Sequence, residues 1–547
     1  MNKKNRQKHI IKITGGHRGP PLPGILIIFI FPFFIYNNSL NNGFLAGDDE
    51  GITLRNQYLR DWKYLPKFFT ENYKAGSGEI TNFWRPFQLL TYSFIIHTAG
   101  FKPWAFHLSS ILFHALCGIM LFLILLRLAP QKIPLSAITA VVLIWLAHPI
   151  HNSEIAVTSG IASPSHLFWM LCGLYTFMRF EEKGTWAYYF LSLISFIVSL
   201  WCKESAVIFP GLLLAVHITG TRTGIFKKTK PGHFLPVHLP FWLIAFFYVF
   251  ARGTFLNFEN SFNFYNQANL WTENLSYRLL TLSTILVHGL RIIFIPLGIH
   301  PERAWPVFTE FSWRVSGSIA ILAIIVGAAI RLWKRNPLFT LGIFWFFCSY
   351  LPMSNIAAQI HSLVWDHWFY TPSIGILLSG LSLLPASFPV KKLSALFWLS
   401  PIIALSILTL SKNPFWRDTE SVSRFILSYE PRSAKTWNNL AMALMDKGQH
   451  EEAVNCYLKA ISISDVYPQT HHNLANAYMD RKEYTLAERE YLKALGIDSK
   501  FYYSHIKLGE LYLAQGKKQE ALQHLKKAVE IYPYLPGIKE FLTKANQ

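Results

Sequence analysis

Long apolar runs recur along most of the chain, and they limit the folds open to it more than any other feature. Two examples are WAFHLSSILFHALCGIMLFLILL at residues 104–126 and LSALFWLSPIIALSILTL at residues 393–410. A run of about 20 apolar residues can cross a bilayer as a helix, because a helix satisfies all its backbone groups internally. With 52% hydrophobic and 16% aromatic residues among 547, the chain is too apolar for a soluble protein of this length. The sequence therefore predicts an all-α, polytopic membrane domain.

The apolar runs predict about eleven crossings, with boundaries accurate to a few residues. They cover residues 22–36, 104–126, 134–149, 164–178, 186–201, 204–219, 236–251, 315–331, 337–352, 370–385 and 393–410. Basic residues fall mostly in the segments that would face the cytoplasm, such as RTGIFKKTK at 222–230, as the positive-inside rule requires. This distribution accounts for the formal net charge of +20 and indicates no nucleic-acid partner.

Two apolar segments need a separate interpretation. Residues 277–300 are apolar enough to span, but a crossing there would place the basic RLWKRN at 331–336 outside. We therefore predict a membrane-surface or re-entrant helix on the outer side. The first apolar segment follows a basic stretch and has no small-residue cleavage site after it, which predicts a retained helix rather than a removed signal peptide. The five cysteines show no paired spacing, so neither a disulfide framework nor a zinc site is indicated.

From about residue 431 the chain turns polar and repeats with a period of 34 residues. Small residues recur where two antiparallel helices must approach closely, and large residues recur where neighbouring repeats pack. The matched positions are Leu440, Leu474 and Leu508; Ala441, Ala475 and Gly509; Leu444, Tyr478 and Tyr512; Ala453, Ala487 and Ala521; Ala460, Ala494 and Ala528; with Trp437 and Pro533 in register. The pattern predicts three tetratricopeptide repeats, whose groove binds an extended peptide or which alternatively serve as a folded spacer.

The predicted organisation has four parts. They are a basic cytoplasmic N-terminus at 1–21, a transmembrane domain at 22–412 with a first outer loop at 37–103, a linker or capping helix at 413–430, and the repeats at 431–547. An odd number of crossings places the repeats outside the cytoplasm. Within the first outer loop, RNQYLRDWKYLPKFFTENY and FQLLTYSFIIHTAGFKPW each predict a helix lying along the headgroups. In the former, Tyr58, Trp62, Leu65 and Phe69 lie near helical spacing.

Ionisable residues from distant parts of the chain collect on the predicted outer side. Asp48, Asp49 and Glu50 follow the first helix. The others are Arg85, His148, His151, Glu154, Lys203, Glu204, Asp366, His367 and Tyr370. Charges at a membrane boundary are costly, so their convergence predicts a single polar site rather than the depth-distributed polar groups of a transporter. The acidic triplet could alternatively be a solvated loop start or a helix cap.

The residue types in this cluster indicate a chemistry. A carboxylate can act as a general base toward a hydroxyl or can ligate a divalent cation, and two adjacent carboxylates raise each other's proton affinity. The cations Arg85, Lys203 and His367 suit a phosphate or diphosphate leaving group. Together with access from the lipid side, these features predict group transfer from a lipid phosphate, with a sugar carried on a polyprenyl phosphate as the donor.

Six motifs in sequence carry a family resemblance. GDDEGITLRN, WRPFQLLTY, KPWAFH, HPIHNSE, CKES, and LPMSN followed by DHWFYTPSIG, all ahead of tetratricopeptide repeats, resemble the transmembrane and tetratricopeptide repeat-containing (TMTC-like) protein O-mannosyltransferases and their bacterial relatives, within the type-C glycosyltransferases. The resemblance covers nearly the whole chain from about residue 22, in the same order. It implies transfer of a sugar, mannose in characterised members, from a polyprenyl-phosphate donor to Ser or Thr hydroxyls of an extracytoplasmic polypeptide.

The resemblance implies a role for the acidic pair, and the residue types and their clustering predict the roles of the other site residues. Asp48 and Asp49 match the family's acidic pair, as catalytic residues or as ligands of a divalent cation, Mg²⁺ or Mn²⁺. Arg85, Lys203 and His367 are predicted to bind the donor phosphate. His148, His151, Glu154, Glu204, Asp366 and Tyr370 are predicted to line the site. The chain departs from the family in two respects: relatives often have Glu-Arg where it has Asp366 and His367, and only three repeats follow.

Two locations fit this interpretation. One is a bacterial inner membrane with the repeats in the periplasm, and the other is an endoplasmic reticulum membrane with the repeats in the lumen. The alternative function is a non-catalytic, membrane-anchored repeat scaffold for protein assembly. That alternative predicts that Asp48 and Asp49 can both become Asn without loss of function, whereas removal of residues 431–547 abolishes it.

Overall fold

The structure, a computed structural model, describes residues 21–79, 81–130, 133–226, 234–258, 274–356, 360, 362–384 and 392–531. In this part of the chain nearly every element is helical and no β-strand forms, which confirms the predicted all-α class. Residues 1–20 of the predicted basic N-terminus, residues 227–230 of the basic loop, and Pro533 lie outside the described residues.

Contacts divide the chain into two compact units. The first comprises residues 1–43, 52–75 and 80–416, and the second comprises residues 44–51, 76–79 and 417–547. The longer helices of the first unit are α1 (Leu22–Ile35), α2 (Pro86–Ala99), α3 (Pro103–Leu128), α4 (Leu135–Leu146), α5 (Ala162–Lys183), α6 (Trp186–Cys202), α7 (Phe209–Thr223), α8 (Phe234–Gly253), α9 (Leu275–Phe294), α10 (Trp313–Leu332), α11 (Pro337–Tyr350), α12 (Pro372–Leu383) and α13 (Lys392–Lys412).

Each predicted crossing corresponds to one of these helices, and α2 and α9 are additional. Among the described residues, five helical segments have the length and hydropathy of a membrane span, and six do if the bent pair Leu135–Leu146 and Pro149–Ile155 is one span. Shorter apolar helices include α1, α6 and α12. Helix α9, predicted to lie at the outer surface, has 20 residues and a mean hydropathy of 1.3, which also suffices for a span. Its surface position stays a prediction.

Apolar side chains on α8 and α10 point away from the rest of the first unit. In the most apolar 18-residue stretch of α10 only 17% is buried inside the protein, and Ile324 and Ile330 on this helix are each 71% exposed. On α8, Phe246 is 63% exposed. Such surfaces would be unfavourable in water but are compatible with lipid tails. This exposure pattern agrees with a membrane-embedded unit.

Proline and glycine delimit many of the helices. Pro86, Pro103, Pro337 and Pro372 each lie in the first turn, where the missing N–H has no intrahelical partner to lose. At the end of α5, Gly184 adopts φ +72° and its N–H donates to the Phe180 carbonyl at 2.7 Å. A left-handed residue at this place favours glycine and stops the helix. The short connection to α6 follows directly.

Two glycines allow α11 and α12 to pack closely. A Cβ on Gly342 would lie 2.3 Å from the carbonyl oxygen of Gly375, and a Cβ on Gly375 would lie 2.3 Å from the carbonyl oxygen of Gly342. The hydroxyl of Ser379 donates to the Phe339 carbonyl at 3.0 Å across the same contact. Backbone-to-backbone contact of this kind is how membrane helices gain packing energy without a hydrophobic driving force.

We expect Gly375→Ala to destabilise the first unit by about 1–3 kcal/mol, because the added methyl must push two backbones apart. The matched control is Gly380→Ala on the same helix, where a Cβ meets nothing within 4 Å. Thermal unfolding of the purified protein in detergent measures both. A melting temperature equal to wild type for Gly375→Ala would contradict the close contact.

The structure corrects one prediction in the first outer loop. The continuous helix expected from Tyr58 to Phe69 is wrong: the chain forms three short turns, Gln57–Arg60, Trp62–Tyr64 and Lys67–Thr70. Asp61 interrupts it in an extended conformation, with its carboxylate accepting the Lys63 N–H at 2.9 Å. An Asp side chain competes with helical hydrogen bonds in this way. The second segment does form a helix as predicted, α2.

The second unit contains the repeats as three helical hairpins. After α14 (Thr419–Tyr429), the helices are α15 (Ala434–Asp446), α16 (His450–Ile463), α17 (Pro468–Asp480), α18 (Tyr484–Ile497), α19 (Tyr502–Ala514) and α20 (Lys518–Ile531). The recurring alanines are fully buried, as the periodicity predicts: Ala441, Ala453, Ala460, Ala475, Ala487, Ala494, Ala521 and Ala528. In the third repeat Gly509 replaces alanine, because a Cβ there would lie 2.6 Å from Cγ of Leu525.

A buried histidine in the second repeat lies between two carboxylates. Nδ1 of His471 lies 2.7 Å from Glu490 Oε2, and Nε2 lies 2.5 Å from Asp465 Oδ1. Burial opposes the charge, but the two carboxylates outweigh burial and raise the pKa of His471 above its usual 6.5. The charged pairing therefore stabilises the folded repeat fully below about pH 6.5 and is lost as the pH rises through the higher folded pKa.

We expect backbone amides of α17 and α18 to exchange hydrogen faster, after correction for intrinsic rates, as the pH is raised from about 6 to about 9. The measurement is hydrogen exchange by mass spectrometry on the full-length protein. In His471→Gln the added pH dependence is expected to disappear, because glutamine does not titrate. Equal pH dependence in both proteins would show that His471 is not its source.

Candidate active site

The acidic segment at residues 44–51 forms a tight turn in the second unit. Gly47 has φ +90°, a conformation that favours glycine. The N–H of Leu45 donates to Oδ2 of Asp49 at 2.8 Å. Asp49 is fully buried, whereas Asp48 is exposed. The two predicted catalytic carboxylates therefore have different local roles: Asp49 closes the turn, and Asp48 is accessible.

A further carboxylate of the second unit, Glu79, lies beside this turn and was not singled out from the sequence. Its carboxylate oxygens would lie 3.0 Å from a Cβ on Gly51. Oxygen ligands of this kind suit Mg²⁺ or Mn²⁺. In the described parts of the chain, however, no three His, Cys, Asp or Glu side chains are grouped to hold a metal ion. A divalent cation at Asp48 and Asp49 stays a prediction.

Arg85 in the first unit is held by a carboxylate. It lies directly before α2, and its guanidinium donates twice to Glu204, from Nη2 to Oε1 at 2.8 Å and from Nε to Oε2 at 3.2 Å. It also lies over the ring of Phe83, 4.6 Å from the centroid. Burial alone would lower the pKa of Arg85, but Glu204 outweighs burial and raises it. The pair fixes the guanidinium in one orientation.

Lys203 and His367 converge on Glu154. Nζ of Lys203 donates to Oγ of Ser163 at 2.7 Å and lies 3.8 Å from Oε1 of Glu154. Nε2 of His367 lies 3.6 Å from the same Oε1. The structure thus brings together three residues that the sequence placed on distant segments. Burial lowers the pKa of His367, and Glu154 opposes that effect only in part.

A small cavity whose lining residues are mostly polar (the polar cavity) lies next to these side chains within the first unit. It is lined by Ser163, His166, Lys203, Ser205, Ile208, Ser349, Met353, His367, Trp368, Tyr370 and Thr371. Three lining atoms are buried and have no hydrogen-bond partner among the described residues: Nδ1 of His166, Oγ of Ser349 and Nδ1 of His367. Buried polar atoms are nearly always paired, so unpaired ones around a cavity indicate a place for a polar ligand or water.

Tyr370 lines this cavity, and its ring contacts another predicted site residue, His151. The Tyr370 hydroxyl lies 2.8 Å from Nδ1 of His114, whose Nε2 lies 3.2 Å from the Leu146 carbonyl. Because a carbonyl only accepts, Nε2 carries the proton and the tyrosine donates to Nδ1. His151 is buried against the Tyr370 ring, with centroids 4.6 Å apart. His148 is used structurally, since its Nε2 donates to the Ile293 carbonyl at 3.0 Å.

Asp366 belongs to a separate buried cluster. Its carboxylate accepts from Nε2 of His288 at 2.8 Å, from Nη2 and Nε of Arg303 at 2.8 and 3.2 Å, and from the N–H of His300 at 3.2 Å. Burial would raise the pKa of Asp366, but His288 and Arg303 outweigh burial and hold it well below its usual range. The cluster anchors the turn that continues into His367.

Sequence reasoning missed several of these partners. Ser163, His166 and Ser349 line the cavity, and His288 and Arg303 hold Asp366. Small hydroxyls and a histidine inside an apolar helix have no distinctive sequence signal. Arg303 did have one, because it is a charged residue in the segment following α9, beside the polar outer loops.

Comparison with known proteins gives matches to both parts of the chain. Family models described as TPR repeat and tetratricopeptide repeat match residues 441–480 and 466–533. The first TPR of Spaghetti (RPAP3), solved with an HSP90 peptide, aligns at 23% identity over 21% of this chain and 91% of that chain, with a TM-score of 0.21.

Curated relatives match over most of the chain. Protein O-mannosyl-transferase TMTC4 of Homo sapiens is 22% identical, covering 80% of this chain and 66% of the relative. TMTC3 of Homo sapiens is 22% identical over 78% of this chain and 50% of the relative. TMTC1 of Homo sapiens is 24% identical over 79% of this chain and 54% of the relative. The matched region thus spans between half and two thirds of these relatives. The chain is a multi-pass membrane protein with tetratricopeptide repeats, and most of its length is similar to these TMTC proteins.

Proposed function

We propose that this chain is a membrane-integral glycosyltransferase that moves a sugar from a polyprenyl-phosphate donor to hydroxyl groups of an extracytoplasmic protein. The observation that carries the proposal is the similarity, over about four fifths of the chain, to proteins named protein O-mannosyl-transferases. Mannose is accordingly the sugar to test first. The polar cavity beside Lys203 and His367 supports a site for the donor's phosphate.

The chemistry assigns a role to each part. Asp48 or Asp49 takes the proton of the acceptor hydroxyl. If Mg²⁺ or Mn²⁺ were bound, the oxygens of these two carboxylates would hold it, and it would polarise that hydroxyl as a Lewis acid. The acceptor oxygen then bonds to the anomeric carbon while the bond from that carbon to the phosphate oxygen breaks, and its electron pair leaves with the phosphate. Arg85, Lys203 and His367 stabilise the charge on the phosphate. The repeats bind the acceptor polypeptide outside the cytoplasm.

The test is sugar transfer in membranes that contain the protein, supplied with labelled polyprenyl-phosphate mannose and extracytoplasmic protein. Wild type is expected to label protein at Ser or Thr. Lys203→Met keeps most of the side-chain volume but removes the charge, and it is expected to raise the donor KM by about tenfold or more, since a charged hydrogen bond contributes about 1.5–3 kcal/mol. Failure of wild type with mannose and other hexose donors would contradict an enzymatic function.

The competing function is a membrane-anchored scaffold, which the repeats by themselves would also support. Sugar transfer by the full-length protein to a small hydroxyl acceptor peptide at high concentration separates the two. An enzyme is expected to label the peptide. A scaffold would show no transfer in any form.

A further inference from the structure

The charges around the polar cavity largely cancel in this structure. Arg85 is paired with Glu204, and Lys203 shares Glu154 with His367. A phosphodiester carries one negative charge that burial makes costly unless a cation balances it. Because Glu204 and Glu154 already offset these two permanent cations, an additional positive charge beside the cavity would come from an imidazole, and His166 and His367 line it.

His367 is placed to supply that charge. Its side chain is only 18% exposed, Nε2 faces the Glu154 carboxylate at 3.6 Å, and Nδ1 is buried at the cavity without a partner among the described residues. A carboxylate at one nitrogen favours protonation, and an anion at the other nitrogen would favour it further. Protonated imidazole donates from both nitrogens, so one ring would then bridge Glu154 and the anion.

The groups that face His367 come from several elements. Glu154 comes from the turn after α4, Lys203 from the end of α6, and His166 from α5, while Asp366 and Tyr370 belong to its own segment. The carboxylate of Asp366 already accepts hydrogen bonds from Arg303 and His288. Lys203 opposes protonation of His367, and Glu154 favours it. Burial and Lys203 together outweigh Glu154 and lower the pKa of His367, and an anion bound at Nδ1 would raise it again.

We propose that the cavity is a proton-linked phosphate site, in which binding of the donor phosphodiester is coupled to uptake of one proton by His367. This deepens the proposed function, on which it rests for the identity of the ligand. The proton comes from water and stays on the ring, so that the imidazolium balances the single charge of the phosphodiester. The hydroxyls of Ser163 and Ser349 and the ring of His166 supply further polar contacts around the anion.

The arrangement has a functional consequence for donor use. An arginine would hold phosphate with the same strength at every pH, whereas a histidine loses its charge within the physiological range. Donor affinity should therefore fall as the pH rises, by up to about tenfold per pH unit where the free ring is neutral and the bound ring is charged. The site would therefore bind lipid phosphate tightly only at the lower end of the pH range.

The test uses the full-length protein in detergent and farnesyl methyl phosphate as the probe. This isoprenyl phosphodiester carries no sugar and does not titrate near neutral pH, so protons counted on binding come from the protein. Isothermal titration at about pH 8 in two buffers of different ionisation enthalpy gives that count, and titrations at lower pH give the slope of affinity. The expected wild-type result is uptake of about one proton and weaker binding at higher pH.

Three variants test whether His367 is the group that takes up the proton. His367→Arg supplies a permanent cation and is expected to bind the probe with no proton uptake and a flat pH profile. His367→Asn keeps a hydrogen-bond donor without charge and is expected to bind weakly at every pH. His524→Asn makes the same replacement on α20 of the second unit and is expected to keep the wild-type proton count. A melting temperature for each variant shows that it is folded.

The outcomes separate this inference from the proposed function. Uptake of about one proton in wild type and none in His367→Arg supports the inference even if no sugar transfer is found. Sugar transfer without proton uptake overturns the inference and leaves the enzyme proposal standing. Proton uptake that persists in His367→Arg overturns the assignment to His367 and points to His166. Failure of the wild-type protein to bind the probe at low pH overturns the proposal of a phosphate site.

Discussion

Replacing Asp48 by Asn is expected to lower sugar transfer by about 10²- to 10⁴-fold, the usual contribution of a positioned general base. Asparagine has the size of aspartate but cannot accept a proton at neutral pH. Asp48 is exposed, so the change should leave the fold intact. Asp49→Asn is expected to lower transfer as well if the pair shares a proton or holds a cation. The measurement is initial rate at saturating donor, with equal amounts of folded protein.

Glu50→Gln is the matched control, because it removes a neighbouring carboxylate that is not assigned a catalytic role. Its rate is expected to stay close to wild type. Rates equal to wild type for both Asp48→Asn and Asp49→Asn would show that the acidic turn is structural and would favour the scaffold. A loss confined to Asp49→Asn would assign the base to the buried carboxylate that accepts the Leu45 N–H.

The second large effect is expected from Asp366→Ala, which should destabilise the first unit by about 3–5 kcal/mol, as breaking a buried ion pair does. Asp366 is 1% exposed, and its loss leaves Arg303 and His288 buried without their carboxylate. Thermal unfolding in detergent, followed by the fraction that remains monodisperse, measures the change. Asp366→Asn keeps one acceptor oxygen and should lose less.

Glu530→Gln is the control, because it removes an exposed ion pair instead of a buried one. Glu530 is 69% exposed and pairs with Lys527 on α20. Exposed pairs contribute little because water screens them, so no change in unfolding of the first unit is expected. An Asp366→Ala protein as stable as wild type would mean that the cluster around Arg303 is not needed to hold the turn that carries His367.

Much of the fold follows from patterns that are local in sequence. All eleven predicted crossings correspond to helices, and the alanines of the 34-residue period are the buried residues of the repeats. Apolar length and periodicity are properties of single segments, so they can be recognised without knowing the tertiary structure. The one helix predicted wrongly, at Tyr58–Phe69, failed at Asp61, where a side-chain hydrogen bond to the backbone competes with helical spacing.

The candidate site was only partly accessible to the same reasoning. The sequence indicated that Arg85, Lys203 and His367 lie on one side of the membrane, because the crossings alternate. It did not indicate that Glu204 holds Arg85 or that Glu154 lies between Lys203 and His367. Nor did it separate Asp366 from its neighbour His367, although the two side chains enter different clusters.

The sequence by itself determined the all-α class, the positions of most helices and the repeats. Only the tertiary structure decided which charged side chains form ion pairs with each other. Arg85 and Glu204 are 119 residues apart, and Arg303 and Asp366 are 63 residues apart. The apolar pattern that drives burial lies within each helix, so it can be recognised from the sequence of that helix alone. An ion pair depends on a few ångströms between distant segments, and those distances exist only after the helices have packed.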